Sequence, residues 1–158
     1  MPGWRSCMEM AAFFPHIARW FWEAKTVIIP LPKPDAQTQP FWDACQEGRL
    51  ICQRCTECHV VQFTPRARCM RCHSERLSWE ASARQGTVMS FTRVHRAPNP
   101  AFKQKTPYVI AMLDMDEGFR LMTNASVAVQ DSIGVGERVS VGFEQVEGMM
   151  LPIVQELT

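Results

Sequence analysis

No stretch of this 158-residue sequence is apolar for long enough to cross a bilayer as a helix, so a membrane-spanning role is not expected. Low-complexity tracts are missing as well, and no block of like charge is long enough to form a disordered tail. The sequence has no Gly-x-Ser-x-Gly, no Walker-type loop and no Gly-x-Gly-x-x-Gly. These absences remove the common signatures of serine hydrolases, P-loop enzymes and dinucleotide-binding folds. The only glycine cluster, Gly134-Val135-Gly136, stands before a strand pattern and reads as a turn. Asp114, Asp116 and Glu117 group at an expected hairpin end, where solvated turn residues are the ordinary explanation. His95 is a lone histidine without an evident partner, which suits a structural or binding role better than proton transfer. No active site of its own emerges.

What is present is a composition that folds, with 46% apolar and 21% charged residues. The net charge of +1 is unevenly spread: residues 81–105 carry +5, and residues 106–158 carry −6. Arg84, Arg93, Arg96, Lys103 and Lys105 meet no acid between Glu80 and Asp114. That segment can attract phosphate groups.

Seven cysteines is an odd number, and four of them form "CTECHVVQFTPRARCMRCH", in which Cys55, Cys58, Cys69 and Cys72 read C-x2-C-x10-C-x2-C. A two-residue gap lets both thiolates of a pair reach one ion, and four thiolates complete a tetrahedral shell for zinc. A closed shell leaves no position for water or substrate, so a structural ion is expected, with iron as the alternative occupant. His59 and His73 each follow a pair, where the chain bends back through a left-handed turn; either they fill that turn or one of them replaces a cysteine ligand. Cys52 could slip the register by three residues, but within the apolar run "LICQRC" it reads as a core thiol. Cys7 and Cys45 carry no pairing signal. Thiolate ligands of this kind fit a reducing, cytoplasmic setting.

Around the cysteines the sequence divides into three parts: an aromatic arm and helix over 1–48, the metal ribbon over 49–80, and a barrel over 81–158. Residues 1–25 read as an amphipathic extension or the product of a start codon upstream of the true one. Pro30, Pro32, Pro34 and Pro40 make an extended strap. A short helix follows, with Thr38 able to cap it, Pro40 in its first turn and Gly48 closing it, burying Phe41, Trp42 and Cys45. From Leu50 onward short strands take over. In "GTVMSFTRVHR" strict alternation puts Val88, Ser90, Thr92 and Val94 on one face, and Met89, Phe91, Arg93 and His95 on the other. "YVIAMLDM", "FRLMT", "RVSVGF" and "MLPIVQEL" complete five strands, with a hairpin at Asp116, Glu117 and Gly118. The fold class is mainly β, and five strands in so short a span suggest a small closed barrel.

The motifs "PFWDACQEGRLICQRCTEC", "CMRCHS", "GTVMSFTRVHRAPNPAF", "PYVIAMLDMDEGFRLMTN" and "IGVGERVSV" occur in an order that resembles a known family over residues 28–155. Its bacterial and archaeal members join a rubredoxin-like zinc ribbon to an OB-fold and were long classed as a domain of unknown function. Cys52, His59 and His73 depart from that family's usual residues without touching the four ligands. The resemblance implies a non-catalytic accessory subunit in a hetero-oligomer. The partners it implies are acyl-CoA enzymes: thiolases, thiolase-like aldolases and acyltransferases, hydroxymethylglutaryl-CoA synthase assemblies, or enoyl-CoA hydratases. It also implies a contribution to the CoA channel. Coenzyme A carries an adenine ring and three phosphates, which a basic loop with aromatic neighbours suits. Arg93, His95, Arg96, Phe102, Lys103 and Lys105 are the candidates, against the plainer reading of a solvated loop.

A second function is open to such a fold: single-stranded nucleic-acid binding on an OB surface. The acid excess after residue 106, with only Tyr108, Phe119 and Phe143 as aromatics there, argues against it. Tryptophan and phenylalanine instead crowd the first 42 residues, as Trp4, Phe13, Phe14, Trp20, Phe21, Trp22, Phe41 and Trp42. Such density predicts docking onto another chain, with Phe41 and Trp42 at the partner interface.

Overall fold

A computed structural model of the chain describes residues 29–158. Residues 1–28, with the tryptophans and phenylalanines of the arm, lie outside the described residues.

The proline-rich segment runs without regular structure into a turn at Asp35, whose carboxylate accepts the N–H groups of Gln37 and Thr38 at 3.0 and 2.8 Å. Thr38 stands at the N-cap of helix α1 (Gln39–Gln46), but its hydroxyl bonds back to Asp35 and caps nothing. Pro40 occupies the first turn, and Gly48, at φ +72°, ends the segment where a side chain would be strained. The helix buries Phe41, Ala44 and Cys45, while Trp42 is half-buried.

Strands β1 (Ile51–Cys55), β2 (Val61–Gln62) and β3 (Leu77–Ala81) form an antiparallel sheet in the order β2-β1-β3. The central strand β1 is covered on both faces, with Ile51, Cys52, Gln53 and Cys55 all buried. It therefore shows no alternation in sequence. Three residues then cross to the barrel, and each is tied. Ser82 N–H donates to Leu50 O, Ala83 N–H donates to the Glu117 carboxylate, and Arg84 O accepts from Val141 N–H. Arg84 itself sits at φ +61°.

The barrel comprises β4 (Gln85–Val94), β5 (Tyr108–Met115), β6 (Arg120–Ala125), β7 (Arg138–Val146) and β8 (Met149–Leu157). It closes in the order β4-β5-β6-β8-β7, with β7 returning to β4 and β6 running parallel to β8. This is the OB arrangement of a closed five-stranded barrel. Val88, Ala111, Leu113, Leu121, Val139, Val141 and Val154 fill it, each at most 2% exposed. Burying one valine or leucine side chain this fully stabilises by about 1.5–3 kcal/mol.

Strict alternation fails in β4. A bulge between Val88 and Ser90 shifts the register, so that Val88 pairs with Leu113 and Phe91 with Ala111, placing both on the core side. Ser90, Thr92 and Val94 therefore face out together. The long β4–β5 connection contains a 3₁₀ helix over Pro100–Lys105, started by Asn99, whose side chain accepts the Ala101 N–H.

Ribbon, helix and barrel share one aromatic seam. Phe41 meets Trp42 and Phe63 edge-on at 4.9 and 5.3 Å between ring centroids. Phe63 stacks on Phe119 of the β5–β6 turn at 5.0 Å, with the planes 6° apart. No helix among the described residues is long and apolar enough to cross a membrane.

Candidate functional site

Two tight turns build the metal centre. In each, the N–H two places beyond a pair's central residues folds back on the chain: His59 N–H donates to Cys55 O at 2.9 Å, and His73 N–H to Cys69 O at 3.0 Å. His59 and His73 adopt φ of 59° and 60°, so both are turn residues, and their exposed side chains stay out of the cluster. The sulfurs of Cys55, Cys58, Cys69 and Cys72 all lie within 4.8 Å of one another. Across the two turns, Cys55 Sγ is 3.6 Å from Cys72 Sγ, and Cys58 Sγ is 3.5 Å from Cys69 Sγ. Four thiolates at about 2.3 Å from one ion in a tetrahedron stand about 3.8 Å apart, so the donor set fits a metal. The four cysteines form a zinc-ribbon-like metal site.

The sulfurs differ: against a hydrogen bond from the Ser74 backbone, burial and the neighbouring sulfurs of Cys58, Cys55 and Cys69 push Cys72 up to about 12, while Cys69 is held down. Backbone N–H groups of Cys72 and Arg71 point at the Cys69 sulfur and hold its pKa down at about 6; the Arg71 N–H lies 3.4 Å from it. Cys52 behaves in the opposite way. Burial, then the charges of Glu117 and Glu80, push it up to about 11, and Cys45 is likewise raised to about 11 by burial alone. Both are protonated core thiols outside the four-sulfur cluster.

A pair of glutamines that sequence reasoning missed braces the loop carrying the second turn. Gln53 on β1 and Gln62 on β2 are cross-strand partners, both buried. Gln53 Oε1 accepts from Gln62 Nε2 at 2.9 Å and from Arg66 N–H at 3.0 Å, while Gln53 Nε2 donates to Arg66 O at 3.2 Å. Gln62 Oε1 accepts from Met70 N–H at 3.0 Å. The backbone of residues 66–70 thus finds its partners in side chains. The one hint in the sequence was a glutamine amid the apolar residues of "LICQRC".

The β4–β5 loop frames an open cavity of about 490 Å³ lined by His95, Arg96, Ala97, Pro98, Lys103 and Thr106. That volume falls within the roughly 300–1,000 Å³ of small-molecule sites. His95, Arg96 and Lys103, three of the six candidates, are brought together there, and none pairs with a carboxylate among the described residues. The other three stand elsewhere. Arg93 turns to the segment before β7, where its guanidinium donates to the Asp131 carboxylate at 2.9 Å and to the Asp131 carbonyl at 3.2 Å. Phe102 lies against Tyr108 with ring centroids 6.2 Å apart. Lys105 ends the 3₁₀ helix, exposed and outside the cavity lining.

The residues expected at a partner interface also divide. Phe41 is 5% exposed and belongs to the chain's own core, packed on Phe63. Trp42 keeps part of its ring accessible. Asp114 and Asp116, expected as solvated turn residues, are held by Arg120 and Arg138.

A family model described as the ChsH2 rubredoxin-like zinc ribbon domain matches residues 42–78, and one described as the ChsH2 C-terminal OB-fold domain matches residues 79–144. Among curated proteins, the chain is 36% identical over 99 residues to a probable enoyl-CoA hydratase alpha subunit of Thermomonospora curvata. That match covers 61% of this chain and spans only 30% of the hydratase subunit. A DUF35 domain-containing scaffold protein of Methanocaldococcus jannaschii is 29% identical over 99 residues, covering 62% of this chain and 70% of the scaffold protein. Among solved structures, a chain of the Ltp2-ChsH2(DUF35) aldolase superposes with a TM-score of 0.69 and 30% identity. The superposition covers 78% of this chain and 96% of that one.

Proposed function

The chain belongs to the ChsH2 family of DUF35 proteins, and from that premise we propose that it is the scaffold subunit of a hetero-oligomeric acyl-CoA enzyme. The partner, a thiolase-like acyltransferase or aldolase or an enoyl-CoA hydratase, carries the chemistry. The observation that supports this most is the likeness to nearly the whole length of a chain from the Ltp2-ChsH2(DUF35) aldolase.

In this reading the described residues supply no catalytic group to the assembly. Asp114 and Asp116 are paired with Arg120 and Arg138, Glu117 Oε1 accepts the Ala83 N–H while its buried Oε2 has no hydrogen-bond partner among the described residues, four thiols face one another at the metal site, and Cys45 and Cys52 are buried and protonated. The metal is zinc in a structural role. Its binding energy supports a ribbon whose strands are only two to five residues long and which has little core beyond the aromatic seam. Thiolate ligation and free core thiols suit a reducing cytoplasm.

The cavity over His95, Arg96 and Lys103 serves the CoA end of the partner's substrate. Its size suits a nucleotide, and Arg96 and Lys103, which pair with no carboxylate among the described residues, suit the phosphates, with Lys105 adding to the local field. A nucleic-acid role finds less support. The OB surface used for oligonucleotides is flanked by two loops, and here the second, between β7 and β8, is the tight turn Glu147-Gly148, which carries an acid.

Affinity purification of the tagged chain from its native host tests this. A co-eluting subunit of thiolase or hydratase fold in fixed stoichiometry is the expected result. Recovery of single-stranded nucleic acid instead, bound with steep salt dependence, overturns it.

A further inference from the structure

A second concavity, of about 260 Å³, opens where the metal ribbon meets the barrel. Its lining includes Val61, Phe63, Arg66, Met70 and Phe119. The volume is below the roughly 300 Å³ at which small-molecule sites begin, so it has room for one large side chain and not for a cofactor. Two of its walls are the stacked rings of Phe63 and Phe119, and Met70 stands beside them 66% exposed. The unbranched thioether of Met70 can adapt to a side chain that packs on it.

The charged side chains on the crevice wall are Arg66 and Arg120, and Arg120 is engaged by Asp114. Within the ribbon, Arg54, Arg68 and Arg76 are each paired, with Glu80, Glu75 and Glu57. Arg66, on the crevice wall, and Arg71, next to Met70 in the chain, pair with no carboxylate among the described residues. The backbone is fixed before anything binds, since Gln53 holds Arg66, Gln62 holds Met70, and the Arg71 N–H is directed at the Cys69 sulfur. Little ordering cost is left for a docking event.

We propose that this crevice receives a segment of the partner enzyme subunit in which one large apolar side chain is flanked by carboxylates. The apolar group enters against Phe63, Phe119 and Met70. The carboxylates pair with the guanidinium groups of Arg66 and Arg71, which present planar donor forks to them. The inference rests on the scaffold reading given above.

The test uses the complex purified from the native host. Arg66→Lys and Arg71→Lys variants, treated with a water-soluble carbodiimide, place an amine where it can be joined to a contacting carboxylate. Cross-links from position 66 or 71 to an acid beside an apolar residue of the partner subunit are expected. Charge reversal by Arg66→Glu together with Arg71→Glu is expected to weaken partner binding at least about tenfold, with metal content unchanged as the check on folding. Cross-links to Glu144, Glu147 or Glu156 of a second copy of this chain overturn the proposal in favour of self-association. A partner that binds the charge-reversed chain as tightly as the wild type overturns the crevice while leaving the scaffold reading intact. A wild-type chain that recovers no acyl-CoA enzyme subunit at all overturns both.

Discussion

Replacing Gln53 with leucine removes the brace from the metal loop while keeping the side chain's approximate size. Gln53 is 6% exposed and takes part in three hydrogen bonds, to Gln62 Nε2, Arg66 N–H and Arg66 O. In the variant the Gln62 amide loses its 2.9 Å acceptor in a buried place and keeps only the Arg68 carbonyl at 3.5 Å. The N–H and C=O of Arg66 lose theirs at the edge, where water reaches because Arg66 itself is exposed. A buried polar group left unpaired costs about 1–3 kcal/mol, and the partly wet Arg66 groups cost less. The sum is about 2–3 kcal/mol. With a urea slope of about 2 kcal/mol per molar, the unfolding midpoint falls by roughly 1 M. The assay is urea denaturation with the metal ion in excess, so that its loss does not contribute. Chelator-driven metal release, followed separately, should become faster, because Gln62, which holds Met70 in the turn carrying Cys69 and Cys72, has lost its own partner. A midpoint within about 0.2 M of the wild type, with unchanged release, refutes the brace.

Three further outcomes follow from the same structure. Cys55→Ser or Cys69→Ser should reduce bound metal from one ion per chain and abolish the order of the ribbon, read by elemental analysis and by amide exchange over residues 51–81; full metal content in either variant contradicts the four-thiolate shell. Asp116 is held below its usual pKa of 3.8, first by its hydrogen bonds from Arg138 and then by that residue's charge. A depressed folded pKa contributes stability above pH 3.8 that is lost as pH falls through the folded value, so Arg138→Met should be less stable than wild type at pH 7 and the gap should close in acid. Gly86→Ala should destabilise by about 1–3 kcal/mol, because a Cβ at this position in β4 would stand 2.9 Å from the Asp114 carbonyl oxygen and 3.0 Å from the Met115 sulfur; thermal unfolding at wild-type temperature contradicts the close approach.

Much of this fold could be read from the residues, and the reasons differ by element. The four ligands were legible because metal coordination fixes their spacing. The five barrel strands were legible because strands with one face in a core and one in water alternate, as β6 does through Leu121, Thr123 and Ala125. The bulge in β4 was not, since an extra residue in a strand changes the pairing without changing the composition. Thr38 illustrates a local competition that sequence cannot rank: a capping hydroxyl had a carboxylate three residues back and took it instead. Three of the basic-loop candidates converge on a cavity because they share one connection. Arg93 does not, because its partner Asp131 lies 38 residues away and leaves no local trace. Phe41 was legible as an apolar residue on a helix face, but only the fold shows that Phe63 already covers it. The crevice between ribbon and barrel needed the same long-range contact between Phe63 and Phe119.

The scaffold role is tested most directly by turnover. The co-purified acyl-CoA enzyme subunit is assayed with and without this chain, and the chain is assayed alone on the same thioester. Activity or stability of the partner that depends on the chain, together with no turnover by the chain alone, is the predicted result. A chain that converts the thioester by itself, or a partner that is fully active and stable without it, contradicts the account.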